Sequence, residues 1–137
     1  IRIDFGGIGK GFAEDKMMNV LKQNGIKSAM IEGGGNIVVS DSPPKERGWK
    51  IEINNKIYSL KNCGISTSGD LYQFVEIDGK KYSHILDPLT GIGMTNPIQK
   101  SVVAKDGATS DWISTALCLM DLQVGKKLVK KLKIKVL

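Results

Sequence analysis

A glycine-rich segment near the start of the chain, Gly6-Gly7-Ile8-Gly9-Lys10-Gly11, has the composition of a phosphate-binding turn. It joins an alternating, strand-like run at 1–5 to a helical pattern. Glycines at such a junction let backbone N–H groups approach a phosphate at the positive end of the helix. The spacing is not that of a P-loop, and Phe12 occupies the position that would complete the dinucleotide fingerprint. The pattern alone therefore leaves a phosphate loop and a tight structural turn as equal alternatives.

Asp111 and Thr115 lie four residues apart on a predicted helix, so a carboxylate and a hydroxyl share one face near its first turn. Such oxygens can contribute to a hard cation such as Mg²⁺, which keeps further positions for phosphate oxygens or water. Taken alone, the pair favours a structural interpretation. A first-turn Asp commonly interacts with the helix dipole, and a helical Thr hydroxyl commonly bonds the carbonyl four residues back.

His84 is the only histidine of the chain and lies in the run Tyr82-Ser83-His84-Ile85-Leu86-Asp87-Pro88. If this run is a strand, Tyr82, His84 and Leu86 share one face. An imidazole that titrates near neutrality is a candidate general base, with a hydrogen-bonded structural histidine as the alternative. The stretch 66–70 adds hydroxyl groups beside a predicted turn, where they can serve turn formation alone.

The elements that must position these residues follow from hydrophobic periodicity and turn signals. Helices are predicted at 11–23, 109–120 and 122–133, and strands within 27–39, 49–60, 64–68, 71–77, 81–86, 98–104 and 134–137. The glycines at 33–35 interrupt the first strand region, and Asn54-Asn55 and Asp78-Gly79 predict hairpin turns. The fold class predicted is α+β, with an antiparallel, hairpin-rich middle packed by helices near both ends.

The two later helices carry specific expectations about caps and inward faces. Thr109 or Ser110 is expected to cap the helix at 109–120. Its predicted apolar face consists of Ile113, Ala116, Leu117 and Met120. In the helix at 122–133, the residues predicted to face inward are Leu128, Val129 and Leu132.

Composition excludes several classes of protein. The chain has 137 residues and a net charge of +6, but residues 1–125 are charge-balanced and the excess lies in six lysines at 126–137. With only 6% aromatic residues and no basic face spread along the chain, we expect no nucleic-acid partner. The longest apolar run falls far short of the roughly 20 residues that span a bilayer, so we expect that this chain is not itself a membrane protein. The chain has two cysteines far apart in sequence and one histidine, so we expect neither a thiolate metal cluster nor a disulfide scaffold.

Five motifs in order resemble the FAD:protein FMN transferase family, also called ApbE. They are Asp4-Phe5-Gly6-Gly7-Ile8-Gly9-Lys10-Gly11, Ile31-Glu32-Gly33-Gly34-Gly35-Asn36, Thr67-Ser68-Gly69-Asp70, Tyr82-Ser83-His84-Ile85-Leu86-Asp87-Pro88-Leu89-Thr90-Gly91 and Thr109-Ser110-Asp111-Trp112-Ile113-Ser114-Thr115-Ala116-Leu117. Family members are larger, and the resemblance covers their C-terminal half or slightly less. It implies that residues 1–137 form a single unit, the half of a larger flavin transferase domain that binds the metal and the FAD pyrophosphate. The abrupt, strand-like start agrees with the expectation that something lies upstream.

The resemblance implies a Mg²⁺-dependent enzyme that moves FMN from FAD onto a Ser or Thr hydroxyl of a target protein with a flavinylation motif, releasing AMP. The implied metal ligands are the Gly7 backbone carbonyl, Asp111 and Thr115, completed by the FAD pyrophosphate. Asp4, Lys10 and Ile85 are implied to contact FAD, and His84 to deprotonate the attacking hydroxyl.

Two departures from the family pattern affect these expectations. Gly9 stands where the family usually has Ala, which should only loosen the loop. If the polypeptide began at Ile1, weak FAD binding and little activity would be expected, because the N-terminal half supplies much of the adenine and flavin pocket in the family.

Two other functions remain open at this point. A FAD pyrophosphatase would use the same metal site to send water to the phosphate, yielding FMN and AMP, and a non-catalytic module would bind flavin without turnover. Because family members are often lipoproteins, the resemblance implies a location on the extracytoplasmic face of the cell membrane, through an anchor upstream of this chain.

Overall fold

The computed structural model describes residues 3–69, 74–95 and 99–137. The helices are α1 (Gly9–Gln23), α2 (Gly107–Leu119) and α3 (Leu122–Leu132). The strands are β1 (Met30–Gly33), β2 (Asn36–Val39), β3 (Trp49–Ile53), β4 (Lys56–Leu60), β5 (Cys63–Gly69), β6 (Phe74–Ile77), β7 (Lys80–Ser83), β8 (Gln99–Ala104) and β9 (Lys135–Val136). This arrangement confirms the α+β class. The predicted strand positions 71–73 and 98 lie outside the described residues.

An antiparallel sheet with the order β1-β2-β5-β8-β9 forms the centre of the fold, and β3-β4 and β6-β7 form two separate hairpins. The turns predicted from sequence connect these strands. Gly34 and Gly35 have φ of 59° and 88°, and Asn54 and Asn55 have φ of 52° and 60°. Two-residue hairpin turns require such left-handed conformations, which Gly and Asn tolerate best.

Residues of β5 alternate between the two faces of the sheet. Cys63 and Ile65 pack in a buried cluster with Ile51 and Ile53 of the β3-β4 hairpin. Ser66 and its neighbours on the opposite face point towards α2. The sheet therefore carries an apolar core on one side. On the other side, beneath α2, the polar residues of β5 lie beside a second buried apolar cluster formed by Val102, Ala104 and Ile113.

The apolar spacing in α1 predicts the helix correctly but does not mark its buried face. Phe12, Met17 and Val20 are about half exposed, whereas Glu14 and Met18 are buried. In α3, Leu128 and Val129 are half-buried as predicted, but Leu132 is exposed. In α1, a glycine and a carboxylate residue, Gly11 and Glu14, therefore occupy the buried face that large apolar side chains usually form.

The start of α2 differs from its prediction. The cap is Asp106, not Thr109 or Ser110, since Asp106 has an extended backbone and its carboxylate accepts a hydrogen bond from the Thr109 N–H at 2.7 Å. At the other end, Met120 is exposed after the last turn, whereas Ile113 is fully buried. The helix consequently begins two residues earlier than predicted.

None of the helices in the described ranges is long and apolar enough to cross a bilayer. Both cysteines are buried. Burial raises the pKa of the Cys63 thiol.

Candidate active site

The glycine-rich segment folds as a hydrogen-bonded turn that leads into α1. The Asp4 carboxylate accepts a hydrogen bond from the Gly6 N–H at 2.6 Å. The Phe5 carbonyl accepts from the N–H groups of Ile8 and Gly9 at 3.0 and 2.7 Å. Asp4 itself is exposed, so one of its oxygens stabilises the turn while its carboxylate remains at the surface.

Helices α1 and α2 meet at two glycines. A Cβ added to Gly11 would lie 2.1 Å from the Gly107 carbonyl oxygen, and one added to Gly107 would lie 2.7 Å from the Gly11 carbonyl oxygen. Neither position has room for a side chain. The backbones of the two helix starts therefore approach each other directly.

Each of these two helices supplies a carboxylate to the backbone of the other. Asp15 accepts hydrogen bonds from the N–H groups of Gly107 and Ala108, both at 2.8 Å. Asp111 in turn accepts one from the Gly11 N–H at 3.0 Å. These N–H groups lie at helix starts, where no partner exists within the helix. The reciprocal bonds fix α2, and with it Asp111, relative to the glycine-rich turn.

The Asp111 carboxylate is only 1% exposed. One oxygen, Oδ2, receives the Gly11 N–H, and the other, Oδ1, lies 3.7 Å from the Nζ of Lys10. The Lys10 side chain is half exposed, and its stem passes close to Gly34 of the β1-β2 turn. The buried carboxylate thus faces a cation that remains accessible to a ligand.

Thr115 lies beside Gly7. A Cβ added to Gly7 would lie 3.4 Å from the Thr115 methyl carbon and 3.6 Å from its Oγ1. The Thr115 hydroxyl contacts the Asp111 carbonyl at 3.2 Å and the Ser68 hydroxyl at 3.0 Å. The structure therefore brings together four of the residues singled out by sequence: Gly7, Lys10, Asp111 and Thr115.

In the described part of the chain, no three His, Cys, Asp or Glu residues form a group that could hold a metal. The candidate ligands of this region are of a different kind, namely the Asp111 carboxylate, the Thr115 hydroxyl beside Gly7 and, as the resemblance implies, the Gly7 backbone carbonyl.

Glu14 is a further group of this region that sequence reasoning missed. It is 2% exposed, and neither carboxylate oxygen makes a hydrogen bond to the described residues. Burial, reinforced by the negative charges of Asp111 and Asp15, raises its pKa to about 7; Lys10 and the Gly33 backbone only partly oppose this. The Gly33 backbone packs against Oε1 without forming a well-aligned hydrogen bond.

The signal for Glu14 was its position in the helix. Gly11, Glu14 and Met18 follow helical spacing, and these three are the buried residues of α1. Two of them are not large apolar residues, so the stripe does not stand out in a hydrophobicity pattern.

Ser66 and Ser68 lie within β5, in agreement with the strand predicted at 64–68, and point towards α2; the turn predicted after them extends beyond the described residues. Ser66 donates a hydrogen bond to the Asn36 Oδ1 at 2.6 Å and lies 3.0 Å from the Ser114 hydroxyl. Ser68 lies 2.7 Å from the same Ser114 hydroxyl. The buried Asn36 Nδ2 has no partner among the described residues. A row of hydroxyl groups thus extends from β2 to Thr115.

His84 and Ile85 follow the β6-β7 hairpin, which is not part of the five-stranded sheet. The predicted strand at 81–86 is wrong in its second half, because β7 ends at Ser83 and the chain folds back on itself. Ser83 N–H donates to the Met94 carbonyl, and Met94 N–H donates to the Ile85 carbonyl. Consequently Ile85 is buried and His84 is exposed beside it.

Comparison with known proteins gives a consistent result. The ApbE family model matches residues 1–137. A FAD:protein FMN transferase of Buchnera aphidicola is 35% identical over 92% of this chain, and one of Klebsiella pneumoniae is 27% identical over 94%. In both cases the match covers 40% of the relative. The chain therefore spans about two-fifths of the length of these curated relatives.

Solved structures agree in fold as well as in sequence. The apo form of Pseudomonas stutzeri flavinyl transferase ApbE superposes with a TM-score of 0.82 at 32% identity, covering 98% of this chain and 44% of that one. The flavin transferase ApbE of Vibrio cholerae gives a TM-score of 0.81 at 30% identity, covering 98% and 45%. With the family model matching along the whole length and the same fold at this level of identity, the chain belongs to the ApbE family.

Proposed function

We propose that this chain forms the metal- and pyrophosphate-binding part of a Mg²⁺-dependent FAD:protein FMN transferase. The observation that carries the proposal is the convergence of Gly7, Lys10, Asp111 and Thr115 at the crossing of α1 and α2. The relatives' names supply the reaction class.

The residues present fit a hard divalent cation. Such ions take oxygen ligands, and Mg²⁺ usually combines one or two protein carboxylates with phosphate oxygens and water. The Asp111 Oδ1 is not engaged by the Gly11 N–H, and the Thr115 hydroxyl lies next to Gly7. The Gly7 carbonyl is the third protein ligand in this proposal. When bound, Mg²⁺ would neutralise negative charge on the FAD pyrophosphate.

The chain's own residues have distinct tasks in this proposal. The Gly11 N–H fixes the orientation of the Asp111 carboxylate, and the exposed ammonium of Lys10 binds phosphate oxygens. Asp4 contacts FAD next to the glycine-rich turn, and Ile85 lines the flavin position.

In the transfer step, the oxygen of a target Ser or Thr attacks the phosphorus of the FMN half. The bond from this phosphorus to the bridging oxygen breaks, and AMP leaves with the electron pair. His84 accepts the proton of the attacking hydroxyl, for which an imidazole near neutral pH is suited. An extracytoplasmic location for this reaction remains a prediction.

The test is to incubate the complete protein with FAD, Mg²⁺ and a peptide that carries the flavinylation motif. We expect covalent FMN on the peptide and release of AMP. Free FMN with AMP would instead identify a FAD pyrophosphatase, and FAD retained intact would identify a binding module without turnover.

Two substitutions assign the roles within that assay. Asp111→Asn should reduce Mg²⁺-dependent transfer by at least 100-fold, whereas Asp121→Asn, at the exposed cap of α3, should leave it unchanged. Unchanged metal-dependent transfer in Asp111→Asn would refute the metal site. His84→Ala should slow transfer while leaving FAD binding intact, and transfer at the wild-type rate would remove His84 as the base.

A further inference from the structure

Four hydroxyl groups between β5 and α2 form a continuous row that ends at Thr115. The successive oxygen distances are 3.0 Å from Thr115 to Ser68, 2.7 Å from Ser68 to Ser114 and 3.0 Å from Ser114 to Ser66. Ser66 and Ser114 are fully buried. The row ends 2.6 Å further on, at the Asn36 Oδ1.

The acceptor at the Asn36 end determines the direction of every bond in this row. An amide oxygen only accepts, so the single proton of Ser66 is committed to Asn36. The short contact between Ser66 and Ser114 then requires Ser114 to donate. Ser68 must in turn donate to Ser114, and Thr115 to Ser68.

The Asp111 carbonyl is a competing acceptor, at 2.9 Å from the Ser114 hydroxyl and 3.2 Å from that of Thr115. It lies within α2, where the amide four residues on already donates to it. It therefore does not need a hydroxyl proton. If Ser114 gave its proton there, two hydroxyl lone pairs would face each other across the buried 3.0 Å contact with Ser66, which is unfavourable.

We propose that this row is a positioning relay that turns the Thr115 proton inward and presents its oxygen lone pair to the cation. The proposal rests on the metal site described above and deepens it. A hydroxyl that ligates a cation must donate a lone pair and direct its proton elsewhere. Ser68 is the positioning residue in contact with Thr115. Asn36, four hydrogen bonds away, sets the direction in which each hydroxyl of the row donates.

The test compares two hydroxyls on opposite faces of the same strand. Ser68→Ala removes the acceptor that the relay gives to the Thr115 proton and leaves that proton only the longer, 3.2 Å contact with the Asp111 carbonyl. Thr67→Ala, the matched control, removes a hydroxyl that lies 2.9 Å from Ser101 and belongs to no part of the relay. Mn²⁺ alone is titrated into the complete protein, and electron paramagnetic resonance of free Mn²⁺ gives the dissociation constant without any turnover.

We expect Ser68→Ala to weaken Mn²⁺ binding by about 10- to 100-fold, as the loss of outer-shell partners commonly does. Thr67→Ala should bind Mn²⁺ like the wild type, and Ser68→Thr, which keeps the hydroxyl, should restore most of the affinity. Should Ser68→Ala fold poorly, Ser114→Ala removes the next link with the best helix former and should show the same loss.

Asp111→Asn separates failure of this proposal from failure of the metal site. If Asp111→Asn loses Mn²⁺ binding but Ser68→Ala and Ser114→Ala retain it, the relay is refuted and the metal site stands. If the wild type and Asp111→Asn bind Mn²⁺ equally, the metal site fails and the relay fails with it.

Discussion

The buried Glu14 carboxylate should make the chain less stable as the pH rises. Its pKa is about 7 in the folded chain against an ordinary value of 4.5. The folded state thus binds the Glu14 proton more tightly than the unfolded state does. The stability that this tighter proton binding provides is fully present below about pH 4.5. It is lost progressively as the pH rises towards 7 and is absent above that value.

The size of this effect follows from the difference between the two pKa values. Each unit corresponds to about 1.4 kcal/mol, so the full penalty for ionising Glu14 in the folded chain is about 3 kcal/mol. Between pH 5 and pH 8, about 2.5 kcal/mol of it should appear. The near-isosteric Glu14→Gln variant does not titrate and should escape this loss.

The assay is urea unfolding of the wild type and Glu14→Gln at pH 5 and pH 8, with EDTA present so that no divalent cation alters the charges nearby. The variant's stability relative to wild type should increase by about 2.5 kcal/mol from pH 5 to pH 8. Glu52→Gln, an exposed position on β3, is the control and should show no such increase. If the relative stability of Glu14→Gln is the same at both pH values, Glu14 is already ionised in the folded chain and the reasoning is wrong.

Two further predictions concern the crossing of α1 and α2 and are measured by the same unfolding assay. Gly11→Ala should destabilise the chain by about 3 kcal/mol, because its Cβ would overlap the Gly107 backbone. Gly9→Ala, which has open space around it, should leave the stability unchanged or increase it by at most about 1 kcal/mol. Equal effects of the two substitutions would contradict the close approach of the helices. Asp15→Ala should cost about 1–3 kcal/mol by leaving two N–H groups at the start of α2 without an acceptor, and Asp15→Asn, which keeps one oxygen, should recover about half of that. A loss in Asp15→Asn as large as that in Asp15→Ala would show that the charge, not hydrogen bonding, holds the helix.

The parts of the fold that local sequence determines were predictable. Hairpin turns such as Asn54-Asn55 require left-handed backbone conformations, which only a few residue types adopt easily. Helix α1 also follows from its spacing and its Asn24-Gly25 stop. The strand predicted at 81–86 was too long, because the residues after Ser83 leave the hairpin and hydrogen-bond to the segment around Met94. The alternation of polar and apolar residues does not reveal this contact.

The sequence predicted the spacing of some candidate site residues but not the hydrogen bonds that fix them. Asp111 and Thr115 fall four apart on a helix, which local spacing shows, whereas the Gly11 N–H that fixes Asp111 is 100 residues away. Likewise, Ser66 and Ser68 fall in a strand that the sequence predicts, but their partners Asn36 and Ser114 lie 30 and 46 residues away. Contacts between distant segments depend on packing, and a single sequence does not reveal them.

The charges at the helix crossing suit the proposed cation better than they serve stability. Burial and the negative charges of Asp111 and Asp15 raise the pKa of Glu14 there, and the Lys10 cation lowers it. Asp15 satisfies the start of α2, and Asp111 receives one N–H, but Glu14 receives no well-formed hydrogen bond. A sequence selected only for stability would place an apolar side chain at position 14, since a buried carboxylate without partners is costly. Acidic crowding beside an accessible lysine suits the proposed binding of a divalent cation together with an anionic phosphate, because each ligand charge would offset one that the fold leaves uncompensated.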